Sequence, residues 1–216
     1  MKKIMFNDRY GLTQAVLDGR KTMTRRVIPD IWIDFPRSGR QKAVIAGLDS
    51  QVLMMDLSHV LGENCLYSAE RKYQPKYYKG DEVAVAQAYS SVFDELEANA
   101  PLQEARPILE QSESAGWDNK MFVRADLMPH RIRITGIKVE RLRDISEDDC
   151  MKEGIMEGEF MNTWDTFYFD EWGDVPNHIT FKTPHSAFAS LIDRISGKGT
   201  WEQNPWVYAY EFELIK

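Results

Sequence analysis

The residues with the densest chemical potential lie near the start of the chain, in Gly19-Arg20-Lys21-Thr22-Met23-Thr24-Arg25-Arg26, where four bases and two hydroxyls fall within eight residues. Arginine forks match phosphate or carboxylate oxygens, and a lysine crowded by other cations gives up its proton more easily and can act as a base. A threonine beside such a base is a nucleophile in waiting. Two features work against that pairing. In a regular strand Lys21 and Thr24 point to opposite faces, so their cooperation requires a turn or bulge at this point. The negative end of a preceding helix also holds the proton on Lys21. A solvent-facing basic strand is the plain alternative.

The elements around the octet can be read from caps and periodicity. Ile4 to Phe6 is expected as a short first strand, and Asn7 or Asp8 caps a helix running to about Asp18, with Leu12, Ala15 and Val16 on one face. Gly19 supplies the left-handed residue that ends it. Lys21 to Ile28 is rich in β-branched residues, is closed by Pro29, and is read as extended. Val52 to Met55 and the alternating Val83, Val85, Gln87 and Tyr89 are further strand candidates, the latter after the turn signal Gly80-Asp81. Residues 93–116 read as an acidic loop or exposed helix. The clearest strand spans Arg131 to Leu142; its apolar phase slips across Gly136, from Ile132 and Ile134 to Ile137 and Val139, which predicts a β-bulge or sharp bend there. Ser146 caps a short acidic helix stopped by Gly154, and Thr183-Pro184 opens a longer one burying Ala187, Phe188, Leu191, Ile192 and Ile195. A strand from Trp206 to Leu214, with aromatics on alternate residues, follows. Strands dominate and no βαβ alternation appears, so the expectation is one α+β domain around a strongly bent, mainly antiparallel sheet or barrel with a few short helices.

Composition narrows the partners. The 216 residues carry 34 acids against 27 bases, a net charge of −7 that excludes nucleic-acid binding by bulk charge. The distribution is polarised: residues 1–45 hold ten bases against four acids, whereas residues 146–174 hold ten acids against Lys152 alone. Cys65 and Cys150 form no CxxC pair, which points to a reduced, cytoplasmic setting. The apolar run after Lys2-Lys3 is too short for a signal peptide, and no stretch of about 18 apolar residues predicts a membrane span. The four histidines, His59, His130, His178 and His185, have no metal-ligand spacing, and P-loop, dinucleotide and GxSxG signatures are absent, so neither a metal nor a cofactor is expected.

The octet resembles the signature of the ASCH superfamily, G-x-K-x-x-E-x-R. Gly19, Lys21 and Arg26 match in register, and Thr24 stands where glutamate is usual. Further blocks resemble the phage-associated and bacterial branch in the same order: Gly80-Asp81-Glu82-Val83, Met128-Pro129, Arg131-Ile132, Val139 to Ser146, Glu153-Gly154 and Asn204-Pro205-Trp206-Val207. They cover about half the chain, leaving residues 30–75, 93–120 and 156–182 as insertions in a single domain, 1–216. The resemblance implies a PUA-like, mainly antiparallel β-barrel. It also implies a nucleoside, nucleotide or RNA partner. Small N4-acetylcytidine amidohydrolases of this superfamily share the threonine, and by motif their roles fall on Lys21 as base, Thr24 as nucleophile and Glu153 as proton donor; Glu153 as a helix-end surface acid is the alternative. Arg20, Thr22, Arg25, Arg26, Arg131 and Arg133 are the expected ligand contacts. Other members resemble non-catalytic RNA-binding modules or ribonucleases, in which Tyr89 or Trp206 would stack on a base. Gln87 stands where the nearest relatives often carry an acid.

Overall fold

In the computed structural model the described residues are 1–29, 32–35, 39–42, 44–49, 52–56, 66–68, 75–98, 115–160, 163–169 and 179–215. Twelve strands alternate with short helices along them. The chain enters through β1 (Lys2–Ile4), a 3-10 turn Asp8–Tyr10 and α1 (Leu12–Leu17), and then forms β2 (Met23–Val27). In the region expected as the first insertion, β3 (Trp32–Phe35) pairs with β4 (Gly39–Lys42), and β5 (Val44–Asp49), β6 (Val52–Asp56) and β7 (Leu66–Ser68) form a second antiparallel unit. β6 covers the strand predicted at Val52 to Met55. Beyond it come β8 (Glu82–Val85), α2 (Tyr89–Ala98), β9 (Arg131–Arg141), α3 (Glu147–Lys152), the hairpin β10 (Met156–Phe160) and β11 (Thr163–Tyr168), α4 (Pro184–Ser196), α5 (Thr200–Gln203) and β12 (Trp206–Ile215).

The sheet that positions the octet has the order β1-β8-β9-β12-β2. Every pair is antiparallel except β1 with β8. The architecture is therefore α+β and mainly antiparallel, as expected, with one parallel pair that strand alternation did not reveal. The expected closure is another matter. β1 and β2 stand at the two ends of the order, and the ladders among the described residues form an open sheet, not a closed barrel. Beside these edges Arg26 Nη2, on β2, donates to the carbonyl of Met5, the residue after β1, at 2.6 Å.

The phase slip in the long strand has a direct cause. Glu211 pairs with Gly136 but Phe212 pairs with Ile134, so Thr135 is the extra residue of a bulge adjoining Gly136. A Cβ on Gly136 would come within 2.7 Å of the Glu211 carboxylate, so the glycine leaves room for that side chain to lie over the strand. β8 is buried on both faces: Val83 and Val85 join the main core, while Ala84 and Ala86 join a smaller cluster with Tyr89, Val92 and Leu127. The helices are placed by their caps. Thr183 and Ser186 form a capping box with Pro184 at the first position of α4, which lays Ala187, Phe188, Leu191 and Ile192 into the main core. Among the described residues no helix is long and apolar enough to cross a membrane.

Candidate functional site

The local chain path decides where Lys21 goes. Gly19 takes φ +74, which turns the chain out of α1, and the Lys21 amide donates to the Ala15 carbonyl at 2.8 Å. The Thr22 amide then donates to the Lys152 carbonyl at the end of α3 (2.9 Å), while the Thr22 carbonyl accepts from Phe212 on β12 (2.9 Å). Lys21 therefore lies before β2 starts, outside strand alternation. That turn is the one its cooperation with Thr24 requires, and both residues line one cavity of about 430 Å³.

Lys21, Thr24 and Glu153 are 2%, 5% and 4% exposed. Lys21 Nζ donates to Glu153 Oε2 at 2.7 Å and to the Glu153 carbonyl at 2.6 Å. The helix end that meets the lysine is thus that of α3, not that of α1 just before it. Burial pushes the Lys21 ammonium below its ordinary value; the Glu153 carboxylate opposes this, and Arg26 and Arg25 add to the lowering. Gly154 closes α3 at φ +104, where a Cβ would lie 3.2 Å from Leu12 Cδ2 and 3.8 Å from Lys21 Cδ. The tight neighbour of that Cβ is Leu12, while the lysine stem lies at ordinary contact distance. Thr24 lines the cavity, and no hydrogen bond of its hydroxyl is found among the described residues.

Arg25 holds the acid in place. Its guanidinium donates to Glu140 Oε1 (Nε, 2.8 Å), Asp149 Oδ2 (Nη2, 2.8 Å) and Glu153 Oε1 (Nη1, 3.3 Å). Burial works to lower the Arg25 pKa, but Glu153, Glu140 and Asp149 together raise it. Burial likewise works to raise the Asp149 carboxyl, and hydrogen bonds from Arg25 and Lys138 outweigh it, holding the group below its ordinary value. Both oxygens of Glu153 thus accept from cations, one from the base and one from a fixed anchor.

The remaining lining residues set the character of the cavity. Phe188, Leu191, Ile192 and Ile195 of α4, spaced i, i+3, i+4, i+7, form an apolar wall with Phe6 and Leu12. Arg26 lines it as well, its guanidinium carbon 5.8 Å from the Phe6 ring centre. At the rim, Lys120 Nζ donates to Asp8 Oδ1 (2.7 Å), to Thr13 Oγ1 (3.2 Å) and to the Phe6 carbonyl.

Of the residues expected at the site, Lys21, Thr24, Arg25, Arg26 and Glu153 come together. The others do not. Arg20 is exposed and pairs with Asp18 at 3.0 Å, Thr22 contributes the backbone pins described above, and Arg133 is held between Glu82 and Glu213 at 3.2 Å each. Arg131 pairs with Ile215 at the start of β9, away from the cavity lining. Tyr89 is buried and accepts from the Arg124 amide at 2.9 Å, so its ring is no open platform. The Arg141 guanidinium lies 4.4 Å from the Trp206 ring centre. Gln87 meets His130 Nδ1 at 2.8 Å. Glu140, Asp149, Lys120 and the wall of α4 were missed as site residues. Their signals exist only as one acid in a long strand, one acid in a helix cap, one lysine in an insertion and a core-type helix stripe. Among the described residues no group of three or more His, Cys, Asp or Glu is arranged to hold a metal ion; His59, His178 and Cys65 lie outside them.

No protein-family model, no curated protein and no solved structure matches this chain.

Proposed function

We propose that the chain is an ASCH-type protein with a PUA-like core, acting in the cytoplasm, whose cavity hydrolyses an exocyclic amide on a modified nucleobase of the N4-acetylcytidine kind. The observation that carries this reading is the buried contact of Lys21 Nζ with Glu153 Oε2 at 2.7 Å in the cavity that Thr24 also lines. A proton lies between Lys21 Nζ and Glu153 Oε2, and burial makes the lysine ammonium easier to deprotonate. Transfer of that proton from Nζ to Oε2 creates the base and the acid together.

The neutral amine then takes the hydroxyl proton of Thr24 as Oγ1 attacks the acetamide carbonyl. The tetrahedral oxyanion forms in the cavity that Lys21 lines, now positively charged by the proton it has taken from Thr24. Glu153 gives its proton to the departing exocyclic nitrogen, the C–N bond breaks, and the amine leaves while the acyl group stays on Thr24. Water, deprotonated by the same carboxylate, attacks the ester, and threonine takes back a proton from Lys21. The apolar wall of α4 packs against the base and limits access of bulk water.

Readings as a binding module or a ribonuclease assign Lys21, Arg25, Arg26, Arg131 and Arg133 to phosphates, yet Lys21, Arg25 and Arg133 are already engaged by carboxylates. The test is incubation with N4-acetylcytidine and chromatography of the products. Cytidine release by the wild type, reduced about a hundredfold or more in Lys21→Ala, is the expected result. No cytidine from the wild type overturns the reading.

A further inference from the structure

Arg26 belongs both to the cavity and to a second cluster that the chemistry above leaves unexplained. Its Nη2 bond to the Met5 carbonyl brings it against the end of β1, the strand that carries Lys2 and Lys3. The Lys3 carbonyl accepts from Tyr77 Oη at 2.7 Å, and the amide of Lys76, the residue before it, donates to Tyr210 Oη at 3.2 Å. Tyr210 in turn pairs with Thr24, and Tyr208 with Arg26, across the β12–β2 ladder. These contacts bring Arg26 and the backbones of Lys3 and Lys76 together beside the cavity, with Lys76 Nζ 5.3 Å from the Tyr77 ring centre.

Among the described residues, Asp81 pairs with Lys2 at 2.8 Å and Asp8 with Lys120 at 2.7 Å. Lys3 donates only to the neutral carbonyls of Met121 and Val123, both at 2.6 Å. Among the described residues no carboxylate pairs with Lys3, Arg26 or Lys76. Burial and the charges of Arg26, Lys3 and Lys2 push the exposed Lys76 ammonium down from its ordinary value. Like charges concentrated without counter-charge cost stability, and an anion seated among them removes that cost.

We infer that the ledge formed by Lys3, Arg26 and Lys76 binds a phosphate of the same ligand whose base enters the cavity, so that the favoured ligand is a nucleotide or nucleotide unit, not a free nucleoside. The inference deepens the reading of the cavity, and the two can fail separately. Arg26 lines the cavity and stands on the ledge, which places the phosphate at the cavity mouth, next to the apolar walls that take the base. A 5′-mononucleotide and a unit within single-stranded RNA present the same chemistry here.

The test is binding of cytidine, cytidine 5′-monophosphate and a labelled short oligocytidylate to the full chain at several salt concentrations, with Lys76→Ala and, as an exposed control, Lys198→Ala. The monophosphate is expected to bind at least about tenfold tighter than cytidine, and Lys76→Ala to remove most of that preference while Lys198→Ala keeps it. Oligocytidylate binding with a log–log salt slope near −2, reduced by about 0.7 in Lys76→Ala, identifies the strand as the source of the phosphate; preference for the monophosphate without strand binding identifies the mononucleotide. Equal affinity for cytidine and its monophosphate with no strand binding, or a preference untouched by Lys76→Ala, overturns the inference even if N4-acetylcytidine is hydrolysed. Conversely, phosphate preference without any hydrolysis overturns only the hydrolase reading.

Discussion

Replacing Glu153 by glutamine probes the buried pair directly. Glu153 is tied to two cations, Lys21 at 2.7 Å and Arg25 at 3.3 Å, but the cations differ in their other support. Arg25 retains Glu140 and Asp149, whereas Lys21 keeps neutral partners, the carbonyl of residue 153, the Phe6 ring and the new amide oxygen, and no anionic one among the described residues. Glu153→Gln therefore strands a charge that is 98% buried from solvent by its 2% exposure, a loss of about 3–5 kcal/mol for a broken buried pair. At about 2–4 °C per kcal/mol for a chain of this size, the midpoint of thermal unfolding falls by about 6–20 °C. Lys21→Met costs less, about 1.5–3 kcal/mol, because Glu153 stays bonded to Arg25. The pH dependence has a definite sign. The folded-state pKa of Lys21 lies below its ordinary 10.5, and losing the Glu153 charge lowers it further, so the unfolded chain binds more protons across the window between the two values. Stability of the variant consequently rises with pH in that window, and its deficit against the wild type narrows as pH rises from the folded-state pKa of the variant to that of the wild type, both below 10.5. Calorimetric or dichroic melts over that range provide the assay. Equal losses for the two variants, or a Glu153→Gln deficit that stays constant with pH, would refute an unbalanced Lys21 charge as the cause.

Three other outcomes follow from the same geometry. Gly154→Ala forces a side chain onto φ +104 and to 3.2 Å from Leu12 Cδ2, and is expected to cost about 1–3 kcal/mol in a denaturant titration. Arg25→Lys exchanges a fork engaging Glu140, Asp149 and Glu153 for a single ammonium; a loss of about 2–4 kcal/mol is expected, and it grows less marked as acidification through the lowered pKa of Asp149, below its ordinary 3.8, removes stability that the wild type holds above that value. Cys150 is fully buried and burial pushes its thiol up to about 12, so mass spectrometry of the peptide containing Cys150 should find no alkylation by iodoacetamide at mild alkaline pH until the chain is unfolded.

Periodicity and caps were enough to locate β9, α3, α4 and β12, because each rests on a local signal: Ile132 and Ile134 alternating, Ser146 accepting from the Asp149 amide, the Thr183–Ser186 box, and aromatics on alternate residues. The first helix was half legible. Asn7 does cap, but a 3-10 turn, and Gly11 at φ +60 restarts the chain as the shorter α1. The parallel pairing of β1 with β8 was illegible, since it depends on a contact between segments about eighty residues apart and leaves no local mark. The hairpin β10–β11 fell in a stretch expected as an insertion, where acids masked its alternation. Within the site, Lys21, Thr24 and Glu153 stood out through residue type and motif. The anchors of Arg25 did not, because an acid on a strand and an acid in a helix cap carry ordinary local explanations, and only the fold brings Glu140 and Asp149 to one guanidinium.

Attack of the Thr24 hydroxyl on an amide carbonyl is probed by Thr24→Val, since valine keeps the volume of a residue that is 5% exposed and replaces the hydroxyl by a methyl group. Steady-state release of cytidine from N4-acetylcytidine is measured for the wild type, Thr24→Val and Thr24→Ser, each shown to melt cooperatively. The account predicts that kcat falls about a thousandfold or more in Thr24→Val and that a substantial part returns in Thr24→Ser. Turnover by Thr24→Val near the wild-type rate contradicts it.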